Sequence, residues 1–138
     1  MGKDAYALDD QIGFLLRRVS QRHLAIFAQG IPQVTTTQFA MLARLAELGP
    51  RSQNALGRET AMDAATAKGV VDRLVRQGLV ATSPDPGDGR RRIVALTAAG
   101  TALFAQLAPL ALEISTRTEA PLTRAEAEVL KSLLLRLT

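Results

Sequence analysis

The sequence predicts a mainly α-helical fold with one small β-hairpin. Apolar residues recur at intervals of three and four over most of the 138 residues, which is typical of helices with one buried face. Two segments have the pattern of a capping box, in which a threonine is followed three residues later by Gln or Glu. Only residues 79–96 combine short apolar runs with the dense turn formers of paired strands.

The first helix is predicted from Asp9 to about Phe27. Its apolar residues fall on one stripe, and the acidic pair Asp9 and Asp10 suits the positive end of a helix dipole. Gly30 and Pro32 are expected to end it.

Three short helices follow, and each begins at a good N-cap residue. The predicted caps and helix ends are, in order, Thr35 and Gly49, Ser52 and Glu59, and Asp63 and Gln77. Because only a few residues join the last two helices, this segment is predicted to be a helix-turn-helix.

A change of pattern predicts the hairpin. Leu79–Thr82 and Ile93–Leu96 are the expected strands, and the residues between them are rich in Pro, Gly and Asp. Alternation along the second strand would place Arg90 and Arg92 on one side and Arg91 on the other.

The remainder of the chain is predicted to form two helices. The first runs from Ala98 to about Thr116, and Pro109 is expected to kink it; the second opens at a capping box of Thr123 and Glu126. The leucine stripes of the first and last two helices exceed what a three-helix lobe can cover, so a partner surface is expected there.

Composition excludes several functions. The chain has no cysteine, which removes disulfides, thiolate nucleophiles and peroxide sensing through a reactive cysteine, and its single histidine argues against a zinc site. There is no phosphate-binding glycine loop, and the acidic cluster of Asp85 and Asp88 lies beside three arginines. We therefore expect no catalytic residues, no metal and no cofactor.

Charge and hydropathy indicate where the protein acts. Residues 51–100 carry +3 of the net charge of +4, which is a weak indication of nucleic-acid binding. The apolar runs are shorter than the roughly 18 residues of a membrane helix, and no secretion signal is evident at the N-terminus. The expectation is a cytoplasmic protein that does not bind a membrane.

Three groups of residues carry a resemblance to a known family. They are Thr35-x-x-Gln38-Phe39, then Val71-Asp72-Arg73-Leu74-x-x-x-Gly78-Leu79-Val80, then Asp85-Pro86-x-Asp88-x-Arg90-Arg91 running into Val94-x-Leu96-Thr97-x-x-Gly100. Their order and spacing, from about Asp9 to Leu137, resemble the MarR family of bacterial transcription regulators. The resemblance implies one domain, 1–138, with a winged helix-turn-helix at about 35–97 and dimerisation helices at about 9–30 and 98–138.

That resemblance also implies a function. A homodimer would bind a pseudo-palindromic operator in double-stranded DNA, with half-sites about 10 bp apart. It would act as a repressor that a small aromatic acid or phenolic effector releases. The alternative is a DNA-binding regulator without an effector, either a constitutive repressor or an activator.

The outward face of the fourth helix is the predicted base-reading surface. Removing the expected buried positions, Ala67, Val70, Val71 and Leu74, leaves the candidates. The outward or edge positions that remain are Ala64, Ala65, Thr66, Lys68, Gly69, Asp72 and Arg73, and all but Asp72 are predicted DNA contacts. Arg73 and Arg76 are expected to contact phosphate or an internal acid rather than a base. Thr66 and Lys68 offer hydrogen bonds to bases or phosphate, whereas Ala and Gly allow close approach. A solvated helix face is the alternative.

The hairpin and the third helix supply the other predicted DNA contacts. The resemblance implies that Asp88 steadies the wing while Arg90 enters the minor groove, although Arg91 or Arg92 could serve instead. Ser52, Gln53 and Asn54 open the third helix, where free N–H groups suit a phosphate, or where Ser52 acts only as a cap.

His23 lies on the apolar stripe of the first helix, either packed at the dimer seam or in contact with a ligand. The resemblance implies a small-molecule pocket where the dimerisation helices meet the DNA-binding lobe. The candidate ligand residues are Arg17, Arg18, His23, Gln38, Phe39 and Met41.

Overall fold

The computed structural model describes residues 5–138, which divide into two compact units. One unit comprises the described residues up to Gly30 together with Ala111–Thr138, and the other is Ile31–Leu110. The sequence placed the boundary at residue 98, at the start of the fifth helix. The structure instead groups residues 98–110 with the central unit.

Six helices and three strands follow a single 3-10 turn at Leu8–Asp10 within the described residues. They are, in chain order, α1 (Ile12–Gly30), α2 (Thr36–Leu48), β1 (Arg51–Ser52), α3 (Gln53–Glu59), α4 (Ala64–Arg76), β2 (Val80–Pro84), β3 (Arg92–Leu96), α5 (Ala98–Glu119) and α6 (Arg124–Arg136). The prediction of a mainly α fold with a small hairpin is confirmed.

The predicted capping residues start the helices that they were expected to start. At α2, the Thr35 hydroxyl accepts a hydrogen bond from the Gln38 N–H at 3.2 Å, and Gln38 Oε1 accepts one from the Thr35 N–H at 3.0 Å. Each bond satisfies a donor that would have no partner within the helix. The confirmed N-caps are Thr35, Ser52, Asp63 and Thr123.

The hairpin belongs to a three-stranded antiparallel sheet of order β1-β3-β2. β2 pairs with β3 from Val80 opposite Leu96 to Pro84 opposite Arg92, so it starts one residue later and ends two residues later than predicted. β1 was not predicted, and it pairs Arg51 with Val94. This short strand fixes the hairpin to the start of α3.

The core of the central unit lies between its helices and the sheet. Met41, Leu42, Leu56, Leu74 and Val94 have no exposed surface. The four positions of α4 that were predicted to be buried are all buried, so the opposite side of α4 is free to meet a partner.

α5 differs from the prediction in two respects. It contains Pro109 inside the helix, as predicted, but ends at Glu119, three residues beyond the predicted end. It is also long and apolar enough, by length and composition alone, to cross a membrane, whereas the sequence had indicated that no run was long enough. An exposed apolar helix face is equally what an interface between protein subunits requires.

In the unit formed by the chain ends, many large apolar side chains are exposed. The most exposed on its helices are Ile12, Val19, Leu112, Val129 and Leu135. Such a surface indicates a further protein partner.

Candidate nucleic-acid interface

The outward face of α4 is smooth at its start and charged further along. Ala64, Ala65 and Thr66 are exposed, and Gly69 follows on the same side. A Cβ added at Gly69 would meet no atom of this chain within 4 Å. No packing contact therefore requires glycine here, although Gly inside a helix is less stable than Ala by roughly 0.5–1 kcal/mol.

Asp63 holds the first turn of α4. Its Oδ1 accepts a hydrogen bond from the Thr66 N–H at 2.7 Å, which fixes the start of the helix. This bond also lowers the pKa of the Asp63 carboxyl, because it stabilises the charged form.

Lys68 is paired with an acid on its own helix. Its Nζ donates to Asp72 Oδ2 at 2.8 Å, and both side chains remain largely exposed. The bond from Lys68, followed by the charges of Lys68, Arg76 and Arg92, lowers the pKa of Asp72. The face predicted to donate to DNA therefore also carries a charged acceptor.

Two aspartates brace the turn of the wing. Asp88 Oδ1 accepts a hydrogen bond from the Arg90 N–H at 3.1 Å and lies 3.5 Å from Arg90 Nε. Asp85 Oδ1 accepts one from the Gly87 N–H at 2.8 Å. The Arg90 side chain is nevertheless 94% exposed, so its guanidinium is available to a partner.

The other two arginines of the wing differ from Arg90 and from each other. β3 begins only at Arg92, so Arg90 and Arg91 precede the strand and the predicted alternation of the three is wrong. Arg91 and Arg92 are both exposed, and Arg92 Nη2 donates to Thr82 Oγ1 at 2.6 Å, across the hairpin. Arg90 and Arg91 therefore belong to the turn of the wing, whereas Arg92 is the first residue of β3.

The start of α3 lies beside the wing. Ser52 Oγ accepts the Ala55 N–H at 3.2 Å, which confirms its capping role. An open cavity of about 130 Å³ is lined by Ser52, Gln53 and Asn54 on one side and by residues 90–92 on the other. The structure therefore brings together two predicted groups of DNA contacts.

An ion pair links β1 to the C-terminal end of α3. Arg51 Nη2 and Nε donate to Glu59 Oε1 and Oε2 at 2.9 and 3.2 Å, in a bidentate arrangement. Arg44 Nε donates to the Glu59 carbonyl oxygen at 2.8 Å. The Arg51–Glu59 pair positions the segment just before the α3 N-terminus, and the Arg44 contact holds the C-terminal end of α3 against α2. Neither contact was predicted from the sequence.

Two further cavities beside the predicted contacts are lined partly by residues outside the predicted set of DNA contacts. Arg58 lines a cavity of about 440 Å³ between α3 and the start of α4. Asp72, Arg76 and Thr82 line another, of about 510 Å³, between α4 and the wing. Sequence reasoning missed Arg58 and Thr82, whereas it had placed Asp72 on the outward face of α4 and had given Arg76 as a contact to phosphate or an internal acid.

The candidate ligand residues of α1 have contacts within their own unit. His23 Nδ1 lies 2.8 Å from Thr118 Oγ1, and the His23 ring centroid is 6.4 Å from that of Phe27. Arg18 lies over the Phe14 ring, 6.0 Å from its centroid, and Arg17 is exposed.

The candidates of α2 are more enclosed. Met41 has no exposed surface, and Gln38 is occupied by the capping box. The Phe39 ring packs against the Phe104 ring at a tilt of 34°, with centroids 5.6 Å apart. No cluster of three metal-ligating side chains occurs in residues 5–138.

Comparison with known proteins assigns the family. The model of the MarR family matches residues 33–91. The HTH-type transcriptional repressor NicR of Pseudomonas putida is 48% identical over 112 residues, which cover 80% of this chain and 71% of NicR. The chain belongs to the MarR family. This confirms the resemblance drawn from the three motif groups.

Solved structures of similar proteins support the assignment of this chain to the MarR family. A probable transcriptional regulator from Pseudomonas aeruginosa is 53% identical with a TM-score of 0.93, covering 96% of this chain and 100% of that one. BpsR of Bordetella bronchiseptica, whose DNA binding is regulated by 6-hydroxynicotinic acid, is 40% identical with a TM-score of 0.92 and 96% coverage of both chains. These MarR relatives are transcriptional regulators and not enzymes, as the sequence predicted.

Proposed function

We propose that the chain is a sequence-specific DNA-binding repressor that acts as a homodimer. One observation carries the proposal: Gln53 lines all three cavities that join the α3 N-terminus, the outward face of α4 and the base of the wing. These are the elements with which a winged helix-turn-helix meets a duplex, and one unit of the structure holds them in contact.

In this proposal α4 enters the major groove, which is about 12 Å wide. Thr66 and Lys68 contact base edges, Arg73 contacts phosphate, and Ala64, Ala65 and Gly69 allow close approach. The backbone N–H groups at Ser52, Gln53 and Asn54 bind a phosphate.

The wing supplies the minor-groove contact of the proposal. Arg90 is the best placed of the three arginines, because it is 94% exposed while Asp88 holds its backbone N–H. Arg91 and Arg92 then face the neighbouring phosphates. Narrow A·T-rich segments attract such a cation.

The dimer follows from the exposed apolar faces of the chain-end unit. A second copy would cover the side chains of α1, α5 and α6 that are exposed here, including Val19, Leu112 and Val129. A two-fold dimer binds a pseudo-palindrome with half-sites about 10 bp apart. The operator lies in the cytoplasm, so we propose that location for the protein.

We further propose that a small aromatic acid or phenol releases the DNA. The relative BpsR, 40% identical, is regulated by 6-hydroxynicotinic acid, which is a hydroxylated aromatic acid. The candidates for its recognition remain Arg17, Arg18, His23, Gln38, Phe39 and Met41. An effector shifts DNA binding only if it binds the DNA-incompetent conformation more tightly, with a coupling of about 1–3 kcal/mol.

Fluorescence anisotropy tests the DNA-binding part. The purified protein is titrated onto DNA from upstream of its own gene and onto a scrambled duplex, each at two salt concentrations. We expect tight, salt-sensitive binding to the upstream DNA, weakened by Arg90→Ala. Arg124→Ala is the matched control, since it removes a cation from the start of α6 in the other unit.

Equal weak binding to both duplexes would mean that the operator lies elsewhere in the genome, and binding to neither duplex at low salt would overturn the proposal.

A thermal-shift assay tests the effector. Binding of 6-hydroxynicotinic acid should raise the melting temperature of the protein. Release of DNA that is unchanged by His23→Ala would remove His23 from the ligand site. No shift with any aromatic acid would favour the regulator without an effector.

A further inference from the structure

The predicted DNA face carries one acid that the proposed function does not use. Asp72 is exposed on α4, and it lines the cavity of about 510 Å³ between α4 and the wing. Lys68, Arg76 and Arg92 line the same cavity. A carboxylate at this position repels the phosphates that the three cations attract.

Two of these three cations are held by the protein itself. Lys68 Nζ donates to Asp72 Oδ2 at 2.8 Å, across one turn of α4. Arg92 Nη2 donates to Thr82 Oγ1 at 2.6 Å, across the hairpin. In the free protein, Lys68 is therefore directed along α4 toward Asp72.

Asp72 stays charged under the conditions of DNA binding. The hydrogen bond from Lys68 and the charges of Arg76 and Arg92 lower the pKa of its carboxyl below the ordinary range. Phosphate contacts provide nearly all of the affinity for non-specific DNA, whereas base contacts let the protein discriminate its operator from other sequences. An acid in the C-terminal half of α4 weakens the phosphate contacts without removing the base contacts.

We propose that Asp72 is a specificity-determining residue of the DNA interface: it restrains Lys68 and keeps phosphate out of the cavity between α4 and the wing. Backbone contacts alone then do not seat α4, and a duplex is held firmly only where its base edges match the α4 surface. The inference rests on the proposed DNA-binding function.

The test compares wild type and Asp72→Asn on the upstream and scrambled duplexes over a range of salt. Asn has nearly the same shape but no charge, so it frees Lys68 for phosphate. We expect binding to scrambled DNA to tighten by about three- to ten-fold and the ratio of affinities to fall. The slope of log affinity against log salt on scrambled DNA should steepen by about one, for one added phosphate contact.

Two further variants isolate the mechanism. Glu47→Gln is the matched control, because it removes an acid from an exposed ion pair with Arg44 on α2, and it should leave the ratio unchanged. In a Lys68→Met background, Asp72→Asn should no longer steepen the salt slope, because the cation that it would release is absent.

The outcomes separate this inference from the proposed function. If wild type binds neither duplex, both fail together. If wild type discriminates but Asp72→Asn leaves the ratio unchanged, or weakens both duplexes equally as a folding defect would, the role of Asp72 is overturned while the function stands. An unchanged steepening in the Lys68→Met background would overturn the restraint of Lys68.

Discussion

Gly100 lies directly against the carbonyl oxygen of Leu79, so closely that a Cβ at position 100 would overlap that oxygen. The same oxygen accepts a hydrogen bond from the Thr97 N–H at 3.1 Å, and Thr97 Oγ1 donates to the Gly78 carbonyl at 2.7 Å. The start of α5 is thereby bonded to the end of the α4–β2 connection. This contact gives a physical reason for the Thr97-x-x-Gly100 pattern.

The first prediction follows from that contact. Gly100→Ala should lower the free energy of unfolding by about 1–3 kcal/mol, because the added methyl meets backbone that cannot rotate away. Urea denaturation followed by circular dichroism measures the change. An unchanged midpoint would show that α5 can shift away from Leu79 at little cost.

Gly69→Ala is the matched substitution and should have the opposite effect on stability. Open space surrounds a Cβ at Gly69, so alanine should raise the free energy of unfolding by roughly 0.5–1 kcal/mol through its greater helix propensity. If α4 approaches the duplex closely, the same methyl should weaken operator binding by about ten-fold. A more stable protein with unchanged DNA affinity would place Gly69 outside the contact surface.

The ion pair of Arg51 and Glu59 supports a third prediction. Arg51→Lys keeps the charge but loses the bidentate geometry. We expect it to lower the free energy of unfolding by only about 1 kcal/mol, because both side chains are partly exposed and solvent screens the pair. Operator binding should weaken as well, since the segment just before the α3 N-terminus is held less firmly. Breaking the exposed Arg44–Glu47 pair by Glu47→Gln should change stability by less than about 0.5 kcal/mol.

What the sequence could predict was local in the chain. Thr35, Ser52, Asp63 and Thr123 were identified as caps because each bonds to a residue three positions on. The buried face of α4 could also be predicted, because apolar residues at intervals of three and four fall on one side of a helix. Within the site, this local signal also located the outward residues of α4 and the wing.

What the sequence could not predict depends on distant pairing. β1 is two residues long, and only its bonds to Val94 and Ile93 make it a strand. His23 and Thr118 are 95 residues apart, so no spacing rule connects them. The alternation of residues 90–92 failed because the turn continues to Arg91, whose N–H bonds the Asp88 carbonyl at 2.9 Å. Strand ends are set by such turns and not by composition.

The last prediction concerns acid. The hydrogen bond from the Thr66 N–H lowers the pKa of the Asp63 carboxyl in the folded protein. The hydrogen bond from the Thr123 N–H lowers the pKa of the Glu126 carboxyl in the same way. Between the folded and unfolded pKa values the unfolded chain binds more protons, so these bonds stabilise the protein above the unfolded pKa. Their contribution is lost as the pH falls through the lower, folded pKa.

Asp63→Asn and Glu126→Gln separate this charge effect from capping itself. Asn is as good an N-cap as Asp, and Gln38 shows that Gln completes a capping box in this chain. Urea denaturation at pH 7 and at about pH 2.5 should therefore show a smaller loss of stability in the double variant than in wild type. Equal losses would mean that other carboxylates control acid unfolding, because the hydrogen bonds at both helix starts are retained while the two titrating groups are gone.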